Sequence, residues 1–403
     1  MAVKTEKLLY DAIIIGGGPS GLTLSCLLGQ QGLRVICLDQ ADPKKSSEND
    51  LRTTAISYGS RKILDQAGIW PLITEACPID DIRILDGRSP LLLNFLSEEA
   101  GGKSFGWIVE NMHLRAALTA RLKALKTTEI QAPIRATDFR VEDDYAACIL
   151  EDGSEIKARL LIGADGRGSF MRRWMGVDTR AWSYRQQAIV CTVAHEHPHN
   201  QAAIEHFWPS GPFAILPMSD DADGQHRSSV VFTEHGSSSR SLRARSLMAL
   251  SDEAFEAALA ERFPENYGDI KLISKRAAYP LGLIHAAHYT APRMALIADA
   301  AHGIHPIAGQ GLNLGFRDIA ALSTLIEQAL EAGEDIGGLD ILQRYERARR
   351  IDNMSMIAFT DGLNRLFGNN IPPVRFLRRA GLRAVAHFPP ARRFFMKRAM
   401  GDI

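Results

Sequence analysis

Three glycines near the start of the chain have the spacing of a dinucleotide-binding turn. Residues 12–15 are an apolar run, and the segment GGGPSG follows them, so Gly16, Gly18 and Gly21 match the pattern G-x-G-x-x-G. In such a turn the first glycine permits the tight bend and the second lets the backbone approach a pyrophosphate. The third lets the helix pack closely on the strand. The pattern fits FAD and NAD equally well.

A second glycine-containing turn lies much later in the chain, within residues 298–318 (ADAAHGIHPIAGQGLNLGFRD). Asp299 follows a short apolar strand, and Pro306, Gly309 and Gly311 form the turn. A helix is predicted next, because its apolar residues share one face, at Ile319, Leu322, Leu325 and Ile326. Backbone N–H groups lack intrahelical partners at a helix start, so this turn is suited to hold a polar or anionic group.

The elements around the first turn must place an acidic side chain at the end of the next strand. A leucine-rich helix is predicted to end at Gly32, residues 34–38 are predicted to form a strand, and Asp39 lies at its end. An acid at this position hydrogen-bonds the adenosine ribose hydroxyls of a dinucleotide and would repel a 2′-phosphate. This order of elements favours a dinucleotide site over an ordinary βαβ unit.

Two weaker signals lie in the middle of the chain. The fork of the Arg52 guanidinium suits phosphate oxygens, although Arg52 could equally be an ordinary surface arginine. The segment LLIGADGRGS places Asp165 and Gly166 at the end of an apolar strand, after the strand-like segments 146–150 and 155–161. Asp-Gly turns occur in many proteins, so only the position after a buried strand makes this one a candidate for the cofactor site.

The composition predicts a soluble enzyme with two domains. The 403 residues carry no formal net charge, so nucleic acid is not an expected partner. An apolar run of the ~18 residues that a membrane span requires is not present, and the start lacks a signal-peptide pattern. The cysteines are widely spaced and without a C-x-x-C pair, so reduced thiols and a cytoplasmic location are expected. They are Cys26, Cys37, Cys77, Cys148 and Cys191.

Other kinds of catalytic site find little support. His195, His197 and His199 in HEHPH adjoin a proline and have no partner cluster, so a polar loop is predicted there and no metal site. His302 and His305 are interpreted as parts of the second turn. A nucleophile elbow and a supported pair of catalytic carboxylates are both missing, so no catalytic side chain is named.

Charge is unevenly distributed at the C-terminal end. Residues 362–401 contain no Asp or Glu, and their basic residues alternate with bulky apolar ones. This pattern is typical of a helix lying on an anionic membrane surface. A helix packed on the body with a solvated basic face would give the same pattern, and both interpretations stay open.

Together these motifs resemble the flavin-dependent aromatic hydroxylases of the p-hydroxybenzoate hydroxylase fold. The glycine triplet, Asp165-Gly166 and Asp299 stand in that family's order. The segments RTTAISYGS, WIVENMHLRAAL and HPIAGQGLNLGFRD are similar to its ubiquinone-biosynthesis branch in particular. One departure is Ala298, where the family usually has glycine. A methyl group there is expected to be tolerated if the backbone keeps a negative φ.

The resemblance implies FAD as the bound dinucleotide. Asp39 would bind the ribose, Arg52 and Asn111 would lie near the phosphates and the adenine half, and Asp165 would support the loop around the pyrophosphate. Asp299 would bond the ribityl or pyrophosphate region, and the backbone N–H groups after Pro306 would face the pyrimidine edge of the flavin. The full set of predicted cofactor-binding residues is Gly16, Gly18, Ser20, Gly21, Asp39, Gln40, Arg52, Asn111, Asp165, Asp299, Pro306, Gly309, Gly311, Leu312 and Asn313.

The implied fold is α/β, with a Rossmann-like FAD-binding domain interleaved with a mostly antiparallel substrate domain and followed by a C-terminal helical segment. The predicted segments are 1–79, 104–187 and 280–345 for FAD binding, 80–103 and 188–279 for substrate, and 346–403 for the basic helical region. Trp208, Phe213 and Leu216 could line an apolar cavity for a prenylated phenol, although ordinary core packing would explain them equally well.

The resemblance also implies a reaction. A nicotinamide donor, NADH or NADPH, would reduce FAD, O2 would add at the flavin C4a position, and the resulting hydroperoxide would hydroxylate the ring of a polyprenylated phenol in ubiquinone biosynthesis. Possible further partners are other quinone-biosynthesis enzymes and the inner face of the membrane. The alternatives are a flavin-dependent reductase of a prenyl lipid and a non-catalytic FAD-holding scaffold.

Overall fold

A computed structural model describes residues 10–42, 50, 52–87, 93–235, 243–369 and 371–401. The predicted segments 1–79, 80–103, 188–279 and 346–403 each include some residues outside these ranges. Within the described ranges, no helix is both long enough and apolar enough to cross a membrane. The division of the chain into domains stays a prediction.

Strands and helices are numbered here in chain order. The strands are β1 (Tyr10–Ile15), β2 (Val35–Leu38), β3 (Thr53–Ser57), β4 (Cys77–Ile79), β5 (Asp81–Asp86), β6 (Leu93–Leu96), β7 (Gly106–Glu110), β8 (Thr128–Gln131), β9 (Ala136–Val141), β10 (Ala146–Leu150), β11 (Glu155–Gly163), β12 (Thr179–His195), β13 (Ala202–Trp208), β14 (Gly211–Met218), β15 (His226–His235), β16 (Ile270–Leu272), β17 (Ala277–Ala286), β18 (Thr290–Ala291), β19 (Met294–Leu296) and β20 (His302–Gly303). The α-helices are α1 (Pro19–Gln30), α2 (Tyr58–Gln66), α3 (Asn111–Ala124), α4 (Phe170–Trp174), α5 (Arg243–Met248), α6 (Asp252–Ala260), α7 (Gln310–Glu331), α8 (Leu339–Phe367), α9 (Pro372–His387) and α10 (Pro389–Met400).

The first sheet is built around a parallel run in the order β19-β11-β1-β2-β8. Ile13 and Ile14 of β1 are fully buried, as expected of a central strand covered on both faces. The predicted strand–helix–strand unit is confirmed, with α1 ending two residues before Gly32, whose φ is +86°. Both the glycine triplet and Asp39 therefore lie at the carboxyl edge of parallel strands, where α/β proteins bind ligands.

The second sheet has the order β20-β17-β12-β15-β14-β13-β5-β6 and is antiparallel except where β13 pairs with β5. One of its faces packs against α6 through a cluster that includes Phe213, Phe232 and Phe255. The opposite face turns toward α7 and the C-terminal helices. Strands β12 and β17 belong to this sheet throughout their length, so the predicted boundaries at 187/188 and 279/280 fall inside strands.

The C-terminal third is helical. In α7 the residues Ile319, Leu322 and Ile326 are fully buried and Leu325 is partly buried, so the predicted apolar face is confirmed. Helices α9 and α10 pack against the β5–β6 edge of the second sheet and bury Met396 and Met400. The basic region therefore contacts the body of the protein along one side.

Candidate functional site

Two glycines of the triplet are required by close contacts at the end of β1. Gly16 has a φ of +113°, and a Cβ on it would lie 2.4 Å from the carbonyl oxygen of Ala164. A Cβ on Gly21 would lie 1.9 Å from the carbonyl oxygen of Gly16, so the third glycine lets α1 start against the strand. A Cβ on Gly18 would meet no atom of the described residues within 4 Å. This middle glycine borders open space, where a pyrophosphate can approach the backbone.

Asp39 is fixed at the end of β2 by the turn itself. Its carboxylate accepts hydrogen bonds from the backbone N–H of Gly17 at 2.7 Å and of Ala41 at 2.8 Å. A carboxylate has about four acceptor sites, so these two bonds orient it and leave capacity for ribose hydroxyls. The neighbouring Gln40 is exposed, and Ser20 is buried in the first turn of α1.

Arg52 is held in place by a small polar cluster. Its Nε and Nη2 each lie 2.7 Å from the carboxylate oxygens of Asp50, and Asn111 Nδ2 donates to the same carboxylate at 2.9 Å. Thr54 in turn donates to Asn111 at 2.6 Å. The hydrogen bond to Asp50 raises the pKa of Arg52. The guanidinium carbon of Arg52 also lies over the ring of Tyr279, 5.3 Å from its centre. These contacts fix the position of Arg52, and Asn111 belongs to the same hydrogen-bonded cluster.

Asp165 orders the loop after β11. Its Oδ2 accepts hydrogen bonds from the backbone N–H groups of Phe170 at 2.7 Å and Met171 at 3.2 Å, at the start of α4. Gly166 has a φ of +77°, which turns the chain between them. The Oδ1 atom of Asp165 is buried and has no hydrogen-bond partner among the described residues. That acceptor is available to a group bound beside the loop.

Arg167 is a site residue that the sequence reasoning did not single out. It joins the loop to the second turn, donating to the carbonyl oxygens of Gly282 at 2.9 Å and Ile304 at 2.8 Å. Its Nε lies 3.4 Å from the Asp299 carboxylate, which is itself about half exposed. An arginine inside a glycine-rich loop is a recognisable phosphate-binding signal, and the sequence therefore contained the means to find it.

The condition under which Ala298 was expected to be tolerated, a negative φ, is not met. Its φ is +51°, in the left-handed region. The reason is non-local, because the Asp318 carboxylate accepts a hydrogen bond from the Ala298 N–H at 3.0 Å and holds the backbone in this conformation. A Cβ on Gly315 would lie 2.8 Å from the Ala298 Cβ, so glycine in the facing helix makes room for the methyl group. The strain of this turn is ~1–2 kcal/mol.

A buried polar network centred on Asp318 stabilises the turn that contains Ala298. Besides Ala298, the Asp318 carboxylate bonds His302 Nε2 at 2.5 Å and Arg349 Nε at 2.8 Å, and Asn353 Nδ2 lies 3.3 Å away. Burial would raise the pKa of Asp318, but His302 and Arg349 hold it well below its ordinary range. The carboxylate is therefore charged and fixes the strand end that carries Asp299.

The start of α7 is held against β3. Gly309 has a φ of +63°, and its Cβ would lie 2.8 Å from the Ala55 Cβ. Asn313 Oδ1 accepts the backbone N–H of Ser57 at 2.9 Å, while Nδ2 donates to the carbonyl oxygens of Ala55 and Gly309, each at 2.8 Å. A Cβ on Gly311 would meet no described atom within 4 Å. The helix start is thus rigid on one side and open on the other.

A cavity of about 360 Å³ extends from this helix start to the C-terminal helices. Thr53, Pro306 and Asn313 line it at the second turn. Most of the remaining wall is apolar, and the other polar residues that line it are Ser57, Glu205, Thr233, Gln310 and Arg398. At the far end the lining residues come from β6 and from α9 and α10, and they are Phe95, Leu382, Val385 and Phe395.

Comparison with known proteins identifies the family. Residues 9–360 match the family model described as FAD binding domain. The chain is 43% identical to ubiquinone hydroxylase UbiL of Rhodospirillum rubrum over 396 residues, which cover 98% of this chain and 90% of the relative. It is 33% identical to 3-demethoxyubiquinol 3-hydroxylase of Escherichia coli, covering 97% and 98% of the two chains.

The chain belongs to the FAD-dependent ubiquinone hydroxylases. The fold agrees, since the structure of p-nitrophenol 4-monooxygenase PnpA from Pseudomonas putida superimposes with a TM-score of 0.77 at 19% identity, covering 98% of this chain and 97% of that one. The predicted family, the α/β fold with its C-terminal helical segment, and FAD as cofactor are confirmed.

The residues present in this ubiquinone hydroxylase suit FAD. Gly18, with its open side, follows β1, and Asp165, with its free acceptor, follows β11, both at the carboxyl edge of the first sheet. The backbone at Gly311, in the first turn of α7, is also unobstructed. The N-terminus of α7 carries partial positive charge, which stabilises negative charge on a reduced flavin. Leu312 is partly buried against the core behind that helix start, which leaves its backbone N–H as the group able to meet a ligand.

For Trp208, Phe213 and Leu216 the sequence left cavity lining and ordinary core packing equally open, and in this hydroxylase one of them lines the cavity and two pack in the core. Leu216 lines the cavity, but Phe213 is fully buried in the cluster on the other face of the sheet, and Trp208 packs against that cluster. Successive side chains alternate between the faces of a strand, so residues 213 and 216 cannot point the same way. On β13 the cavity is lined by Ala203, Ile204, Glu205 and Phe207, and Trp208 is not among the lining residues.

The histidines of HEHPH have structural contacts. His195 bonds the carbonyl oxygen of His197 at 2.7 Å and Ser228 Oγ at 2.9 Å. His199 bonds the carbonyl oxygen of Met218 at 2.9 Å and accepts the backbone N–H of Gln201. Both ring nitrogens of His195 and both of His199 are therefore engaged in hydrogen bonds.

Proposed function

We propose that this hydroxylase adds oxygen to the aromatic ring of a polyprenylated phenol in ubiquinone biosynthesis, with O2 as oxidant and NADH or NADPH as electron donor. The observation that carries the proposal is the apolar cavity that begins at the FAD-binding turn. Its lining offers polar groups at the turn for the ring and a mostly apolar remainder for a hydrocarbon tail.

The two ends of the cavity suit the two parts of such a substrate. At the turn, Thr53 and Asn313 provide the polar lining, and both are already hydrogen-bonded to the protein and therefore held in position. Further along, Ile82, Leu93 and Phe95 present only hydrocarbon. A prenyl tail gains free energy by leaving water for such a wall, at ~25 cal/mol per Å² of apolar surface.

The chain's own residues would act by binding, orienting and excluding water. When bound, FAD supplies the oxygen chemistry. Asn313 fixes the start of α7, and the free N–H groups of that helix would orient the flavin and stabilise its negative charge. The apolar wall keeps water from the reacting atoms, which protects a reactive oxygen species from decay. No side chain is required as a nucleophile.

A polyprenylated phenol resides in the bilayer, and this supports a peripheral position on the cytoplasmic face of the membrane. The free and buried state of Cys26, Cys37, Cys77, Cys148 and Cys191 is compatible with a reducing compartment. Other quinone-biosynthesis enzymes would be natural neighbours there.

The test is turnover of a short-tailed prenylphenol by the purified, FAD-loaded protein with NADH or NADPH. Hydroxylated product in air, and none without O2, is the expected result. Product formed under anaerobic conditions would replace the proposal with a reductase. Bound FAD without turnover by either donor would replace it with a scaffold.

A further inference from the structure

The helices α9 and α10 form part of the cavity wall. Leu382 and Val385 of α9 and Phe395 of α10 line the cavity, and Met396 and Met400 of α10 are buried beside them. The inner side of this helical pair is therefore in contact with any tail that fills the cavity.

Salt bridges attach the helices α9 and α10 to the second sheet. The buried Arg378 and the half-buried Arg379 both bind the carboxylate of Asp86 on β5, at 2.5 and 2.9 Å. Arg392 binds Glu99, after β6, at 2.5 Å. These contacts account for three of the basic residues in the C-terminal region, and they hold the pair in one orientation.

The outer side of the pair combines exposed aromatic and aliphatic groups. Phe376 is 72% exposed, Leu377 is 67%, Phe388 is 59% and Phe394 is 57%. Large apolar residues exposed at this level and close in sequence mark an interaction surface more often than isolated ones do.

The same outer side carries positive charge. Arg375, Arg383, Arg393 and Lys397 are exposed, and each lacks an ion-pair partner among the described residues. No acidic residue occurs from 362 to 401 to neutralise them. Cations beside apolar groups are complementary to an anionic lipid surface, where the rings enter the acyl region and the cations meet the headgroups.

We propose that the outer side of α9 and α10 docks on an anionic bilayer leaflet, so that the prenyl tail passes from the bilayer along this helical pair into the cavity. This inference rests on the proposed function, since it concerns the route of the same substrate. The helices α9 and α10 connect the cavity with the exterior of the protein. Their inner residues line the cavity, and their outer residues are exposed.

The experiment measures partition of the full-length holoenzyme onto vesicles of phosphatidylcholine and phosphatidylglycerol in equal amounts, and onto phosphatidylcholine alone. Phe376→Ser combined with Phe394→Ser should lower the partition constant on anionic vesicles at least about tenfold. Arg375→Gln combined with Arg393→Gln should lower it as well and remove most of its salt dependence. Ile273→Ser is the matched control, since Ile273 is 42% exposed outside the helical pair and should leave partition unchanged.

Turnover of a short-tailed, water-dispersed prenylphenol is measured in parallel on the same proteins. Unchanged turnover with reduced vesicle binding supports the inference. Vesicle binding that neither double variant alters, or that the control alters equally, overturns it, and so does equal binding to uncharged vesicles. Failure of the wild-type protein to hydroxylate the short-tailed substrate would refute the proposed function instead. The comparison of vesicle binding could still be interpreted in that case.

Discussion

The backbone N–H of Ala298 donates a hydrogen bond to the buried carboxylate of Asp318 across 3.0 Å, and this bond holds Ala298 at a φ of +51°. The next residue is Asp299, which the strained turn places beside Arg167. Strain of this kind persists only where surrounding contacts determine the conformation. The network around Asp318 supplies those contacts.

Removing the methyl group should relieve that strain. Ala298→Gly loses the left-handed penalty of ~1–2 kcal/mol but gains the flexibility cost of glycine, ~0.5–1 kcal/mol, so a net stabilisation of ~0–1.5 kcal/mol is expected in urea unfolding. Gly315→Ala should destabilise by ~1–3 kcal/mol, because its Cβ would meet that of Ala298. The double variant should recover part of this loss. Strict additivity of the two effects would show that the residues do not touch.

Neutralising Asp318, at the centre of the polar network, should lower the free energy of unfolding. Asp318→Asn leaves Arg349 buried beside an uncharged partner, so a loss of ~3–5 kcal/mol in the free energy of unfolding is expected. Asp352→Asn is the matched control, since Asp352 also pairs with Arg349 but is partly exposed and should cost less. Equal losses for the two variants would argue against a special role for Asp318.

The pH dependence of stability should contain a contribution from His305. Burial lowers the pKa of His305 to about 4, so the unfolded chain binds a proton between about pH 6.5 and 4 that the folded protein does not. Stability should therefore fall as pH decreases through this window, by about 1.4 kcal/mol per pH unit from this residue. His305→Asn should flatten the slope, whereas His197→Asn, at an exposed position, should not. Identical slopes in all three proteins would contradict the assignment.

The two faces of β14 should respond differently to substitution. Leu216→Trp narrows the cavity, so the KM for a prenylphenol should rise by about tenfold or more while FAD stays bound. Phe213→Ala leaves a void on the opposite face and should cost ~3–5 kcal/mol of stability without a comparable rise in KM. A KM effect from Phe213→Ala alone would reverse the assignment of faces.

Local patterns in the sequence predicted the local structure well. The strand over 146–150 and the apolar face of α7 follow from patterns of residues near one another in the chain, and the structure has them where they were predicted. The glycine triplet also lies between a strand and a helix as predicted, but the contact that requires Gly16 is with the distant Ala164. For Trp208, Phe213 and Leu216 the sequence left cavity lining and core packing open, although strand alternation by itself places Phe213 and Leu216 on opposite faces of the sheet.

Other features depend on contacts between distant segments. Asp318 acts on Ala298 through a helix that returns to the sheet, and Arg378 binds Asp86 from the far end of the chain. Neither pairing leaves a periodic signal in the sequence. The sequence also left open whether α9 and α10 pack on the body or lie on a membrane. The structure shows that one side of the two helices packs on the body and that the other side is exposed.

Hydroxylation of the ring by O2 is tested most directly by following the oxygen atoms of O2 into the product. FAD-loaded protein, a nicotinamide donor and a short-tailed prenylphenol are incubated under ¹⁸O₂, and the product is examined by mass spectrometry. A ring-hydroxylating monooxygenase should give a product with one labelled oxygen in a new ring hydroxyl. Product that carries oxygen from water, or product that forms equally without O2, would contradict it.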